Sequence, residues 1–75
     1  MGSISFKNES TSLIDIIIEP IADRYVLSPG DCASIEYDDI EGANLEFEYY
    51  SMGELGIWTH GETKVFVDGK LLTPR

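Results

Sequence analysis

The sequence predicts an all-β fold, a small Greek-key sandwich of seven or eight short strands, and three observations carry that reading. Turn residues punctuate the chain at Asn8 to Ser12, Pro20, Pro29-Gly30-Asp31, Asp38 to Asn44, Ser51 to Gly53, His60-Gly61 and Asp68-Gly69, about the spacing of small sandwiches and barrels. The runs between them are rich in Ile, Val, Tyr and Phe, side chains that suit a pleated, half-buried surface. With 75 residues there is room for one domain, residues 1–75, and for no second lobe.

The elements follow in order. Residues 3–7 alternate, Ile4 and Phe6 on one face, Ser3, Ser5 and Lys7 on the other, as a half-buried strand does. Residues 13–19 are apolar on one face and mixed on the other, a central strand. Leu13, Ile16, Ile17 and Ile21 also fall at helical spacing, and Ser12 with Asp15 imitates a capping box. Strand outranks helix over 12–19 because β-branched side chains lose rotamer freedom in a helix and Pro20 removes a donor. A third strand, 23–28, is expected to point Tyr25 and Leu27 inward, and Glu19, at the end of the preceding strand, to cap the turn between them or pair with Arg24. Residues 32–38 and 44–50 form the fourth and fifth strands, 55–60 the sixth, with Trp58 as a core anchor whose indole N–H needs a partner. Residues 63–67 and 70–73 flank Asp68-Gly69, a pair that favours a type I′ turn because both positions need positive φ.

The fourth and fifth strands are expected to pair as a hairpin across the polar loop 38–43. Setting Ile35 against Phe47, Ala33 against Tyr49 and Tyr37 against Leu45 keeps both apolar sets on one face, as period-two alternation demands. The opposite face then gathers carboxylates, with Glu36 directly across from Glu46 and Glu48 beside them. Like charges directly opposite are destabilising, so such a stripe reads as a candidate binding face. The candidate residues are Glu36, Asp38, Asp39, Glu41, Glu46 and Glu48, with Tyr50 as an outward aromatic.

The chain carries 14 Asp and Glu against 5 Lys and Arg, a net charge of −9. This balance argues against nucleic acid and anionic membranes as partners and leaves basic partners or cations open. The single cysteine, Cys32, cannot form an internal disulfide, and the first residues show no charged segment followed by an apolar one, so a reducing, cytoplasmic setting without a leader is expected. The longest apolar stretch, Leu13 to Ile18, is broken by Asp15 and too short to span a bilayer.

Catalytic signals are sparse. His60 reads as an exposed turn histidine and Cys32 as an edge thiol with no adjacent base, so the chain is expected not to be an enzyme. One His excludes a blue-copper ligand set, and too few soft ligands exclude zinc. Glu36, Asp38, Asp39 and Glu41 surround a loop that offers calcium oxygen ligands, although the spacing matches no EF-hand. Glu36 or Glu48 with Glu46 suggests a glycosidase pair, which a flat face without a cleft does not favour. No catalytic residue, metal site or cofactor is assigned.

The run from Phe6 to Ile35, with Asn8 in a turn, Glu19-Pro20, and Asp23-Arg24-Tyr25-Val26-Leu27-Ser28-Pro29-Gly30, resembles a scattered group of short bacterial proteins. These share an Asn turn after the first strand, Glu-Pro closing the second, and a Tyr-x-Leu-x-Pro-Gly pattern. Ile21 departs from the aromatic that often follows Glu-Pro in that group. The resemblance implies a compact β domain of bacterial or phage origin and no particular activity.

The expected architecture is thus an Ig-like or cupredoxin-like sandwich without a metal. The expected function is a non-enzymatic protein-interaction module that meets a basic partner through the acidic hairpin. Two alternatives are an inhibitor or immunity-type protein that imitates nucleic-acid charge, and a calcium- or carbohydrate-binding β domain. Leu71 and Leu72 are adjacent, so one must face outward, and an edge strand there invites a homodimer.

Overall fold

A computed structural model of the protein describes residues 1–38, 45–59 and 61–75. Eight strands run through them: β1 Gly2–Lys7, β2 Ile14–Glu19, β3 Asp23–Leu27, β4 Cys32–Tyr37, β5 Glu46–Ser51, β6 Glu54–Trp58, β7 Thr63–Val67 and β8 Lys70–Leu71. No helix occurs among the described residues, so 14–19 is a strand, as its four isoleucine-rich positions and Pro20 require. Two four-stranded sheets result, one in the order β1-β4-β7-β8 and the other β3-β2-β6-β5. All pairs are antiparallel except β2 with β6. The chain is the expected two-layer all-β fold, in which β1 to β2, β3 to β4, β4 to β5 and β6 to β7 each cross between sheets.

Alternation decides the core. Ile16 and Ile18 of β2, Tyr25 and Leu27 of β3, Ala33 and Ile35 of β4, Ile57 of β6 and Val65 of β7 meet between the sheets, with Ile4, Phe6, Ile14 and Leu55 packed at the margin. Each would cost about 1.5–3 kcal/mol to leave in water if fully buried and large, and together they hold the layers face to face.

Two turns lock one end. The Asn8 side chain is 2% exposed; its Nδ2 donates to the carbonyls of Ser12 (2.9 Å) and Leu27 (3.1 Å), and its Oδ1 accepts from Ser10 N (3.0 Å) and Ser10 Oγ (2.6 Å). Gly30, at φ 86°, donates its N–H to the Asn8 carbonyl while Asn8 N–H donates to that of Asp31. The Asn turn and the Pro-Gly turn therefore support one another. At the other end of the chain Asp68 and Gly69 both take positive φ, 51° and 80°, the type I′ geometry between β7 and β8. Leu71 faces outward on β8 and Leu72 inward against the core.

Three expectations are corrected. β4 and β5 do not form a hairpin: β4 lies between β1 and β7, and β5 pairs only with β6, in the other sheet. Alternation sorts the side chains of β4 and β5 to two faces and buries Ala33 and Ile35 of β4 as expected, but it does not say which strand is the neighbour, nor whether the apolar face of β5 is covered. Trp58 is not a core anchor; it stands on the outer face of its sheet, opposite Glu19 and Glu46 in the ladder. Glu19 does not pair with Arg24, whose guanidinium is taken by Asp15 and Glu54.

Candidate functional site

The outer face of the β3-β2-β6-β5 sheet is built in three rows. Arg24 Nη1 lies 2.7 Å from Asp15 Oδ2 and 2.9 Å from Glu54 Oε2. Ser51 Oγ donates to Glu54 Oε1 at 2.6 Å. The Ser51 hydroxyl and then the Arg24 guanidinium hold the Glu54 carboxyl below the usual range, and Glu54 and Asp15 in turn raise Arg24 further.

The middle row is apolar. Ile17 is buried although it faces out, and Gly56 beside it in the ladder leaves space that the Tyr50 ring fills. A Cβ on Gly56 would stand 2.5 Å from Tyr50 Oη and 2.6 Å from Cε2. Glycine is required here because the aromatic ring lies against the backbone of β6.

The third row is acidic. Tyr50 Oη donates to Glu19 Oε2 at 2.5 Å, and Trp58 Nε1 donates to Glu48 Oε1 at 2.8 Å. The Glu19 carboxylate, with Glu48 nearby, pushes the Tyr50 phenol up to about 12. Glu46, next on the same face, has no ion pair among the described residues. The chain's bases lie elsewhere: Lys7, Lys64 and Lys70 belong to β1, β7 and β8 of the other sheet, Arg75 to the C-terminal end, and Arg24 to β3, where two carboxylates already neutralise it. Strands β2, β6 and β5 carry Asp15, Glu19, Glu46, Glu48 and Glu54 and no Lys or Arg.

The other face of β5 differs. Phe47 pairs with Ile57 and Tyr49 with Leu55, so both point to the core side of the sheet, yet they are 54% and 70% exposed. On β3, at the opposite edge, the equivalent Tyr25 and Leu27 are 5% and 0% exposed. The facing sheet covers β3 and stops short of β5. Tyr49 continues into an open groove of about 400 Å³ formed with Ser10, Ser12, Leu13, Met52 and Gly53, to which Leu13 and Met52 add exposed apolar surface.

Of the residues singled out from sequence, Glu46, Glu48 and Tyr50 lie together on β5. Glu36 is on the outer face of the other sheet, between Ser3 and Lys64. Asp38 is used by a turn: its Oδ2 accepts from Glu62 N at 2.9 Å. Asp39, Glu41 and His60 lie outside the described residues. The acidic pair Glu36 and Glu46 therefore does not face across one hairpin, which removes the glycosidase pairing that joined them. Sequence reasoning missed Glu19, which comes to Tyr50 from 31 positions away, and missed the exposure of Phe47 and Tyr49, whose alternation marks them as core. No protein-family model, no curated protein and no solved structure matches this chain.

Proposed function

We propose that the protein is a non-enzymatic interaction module that binds a basic protein partner through the acidic side of the β3-β2-β6-β5 sheet, centred on β5. One observation carries this reading: the charge is segregated, with Glu19, Glu46 and Glu48 on β2 and β5, which together with β6 between them hold no base, while the lysines stand on the opposite sheet. A uniformly negative patch steers a basic partner from a distance, and the aromatic groups Tyr50 and Trp58 provide area for contact once it arrives. The small fold, whose larger cavities are open surface grooves, suits presentation of a surface better than enclosure of a substrate. An intracellular, reducing setting fits the exposed Cys32 thiol.

The proposal is tested by immobilising the chain and two variants and capturing proteins from a bacterial lysate. Capture by the native chain that is lost with Glu46→Lys, retained with Glu36→Lys and released by salt supports it. Equal capture by both variants would contradict it.

A further inference from the structure

β5 is the outer strand of its sheet, and among the described residues nothing pairs with its free edge. All six of its residues are exposed. Proteins ordinarily protect such an edge with charge, a bulge or a covering segment, and this molecule does so at the other end of the same sheet, where Arg75 N–H donates to the Arg24 carbonyl of β3 at 2.8 Å. On β5 the bulge falls late, between Tyr49 and Ser51, leaving Glu46 to Tyr49 regular.

We infer that β5 accepts an added strand from its partner, an extended segment in which basic side chains alternate with apolar ones. The inference rests on the basic-partner reading above and specifies its chemistry. Backbone pairing along the edge fixes the segment, and alternation sorts its side chains to two faces. Those on the outer face fall beside Glu46 and Glu48 and must be Lys or Arg. Those on the inner face fall beside Phe47 and Tyr49 and must be apolar, extending the core past the edge of the facing sheet and covering the aromatic surface that it leaves open.

A second copy of the chain fits the edge poorly. The antiparallel self-pairing that stacks Phe47 on Tyr49 sets Glu48 against its own copy, with like charges directly opposite, between two chains of net charge −9 each. A basic segment removes that repulsion.

The test uses a fluorescein-labelled peptide of alternating Lys and Val, long enough to span β5, and the same peptide N-methylated at alternate backbone amides on its pairing edge. Anisotropy with the full chain at physiological salt is expected to show binding of the first and at least a tenfold weaker affinity for the second. Phe47→Ser with Tyr49→Ser, at positions already exposed, is expected to weaken the unmodified peptide at least tenfold while far-ultraviolet circular dichroism stays unchanged. Equal binding of both peptides would overturn strand addition and leave the basic-partner reading intact, since charge alone would then suffice. Failure of both peptides and of polylysine to bind in a Glu46-dependent way would overturn both. Self-association of the chain with β5 at the contact would make the occupant a second copy and overturn the inference.

Discussion

Asn8 uses its whole side-chain capacity, two donors and two acceptors, on Ser12, Leu27 and Ser10. Its replacement by Ala leaves the Leu27 carbonyl without this partner in a closed site, and Asn8→Ala is expected to lower stability by about 2 kcal/mol in urea unfolding. Asn8→Asp is expected to do worse, because a carboxylate would meet two carbonyl oxygens where an amide now donates. Tyr50 carries a second residue-scale prediction. Its phenol is raised from 10.0 to about 12 by the Glu19 hydrogen bond first. A raised pKa means that the bond's contribution is complete below pH 10 and is lost as the pH climbs through about 12. Phenolate absorbance of the native chain minus that of Tyr50→Phe isolates this group from Tyr25, whose burial also raises it. The difference curve should show one late tyrosine, and Glu19→Gln should bring it earlier; an unmoved curve would remove Glu19 as the cause.

At the scale of elements, Tyr50 and Gly56 join β5 to β6 by more than the ladder. Gly56→Ala places a methyl group within 2.5 Å of Tyr50 Oη, so the ring must lift and release Glu19. The variant is expected to be less stable, to lose the late tyrosine titration, and to be destabilised less in a Tyr50→Ala background, a non-additivity that a double-mutant cycle measures. Additive losses would show that ring and glycine act independently. The strands themselves were legible: Pro20, Pro29-Gly30 and Asp68-Gly69 end or turn segments through local backbone chemistry, and local chemistry is visible in sequence. Partnership was not. Ile35 and Phe47 alternate in phase and sit near each other in the chain, yet Ile35 pairs with Ile4 and Val65, and Phe47 with Ile57. Period two permits all of these, and only the packing of eight strands selects among them. Glu46, Glu48 and Tyr50 can be grouped from sequence because they share one strand; Glu19 cannot, because parallel pairing of β2 with β6 is a long-range event.

Across the whole molecule, charge and cover are both unevenly divided. The core cluster, eight buried residues among those described, is small, so a single cavity matters; Ile35→Ala, at a fully buried position, is expected to cost about 3 kcal/mol and to unfold much of the population on mild heating. The acidic sheet face, in contrast, is expected to tolerate Glu46→Lys, since among the described residues that carboxylate has no ion pair. The proposal of a basic partner starts from the net charge, which is legible in the sequence, while the uncovered aromatic side of β5 depends on how far the facing sheet extends, which no local pattern records. The claim that unites these features is that β5 is where the partner docks. Its most direct test is an amide chemical-shift titration of the labelled chain with the alternating Lys-Val peptide. The account predicts that the largest changes fall on residues 46–51 and their β6 neighbours, with Glu36 and β7 unaffected. Changes concentrated on β1, β4 and β7, or spread evenly over both sheets, would contradict it.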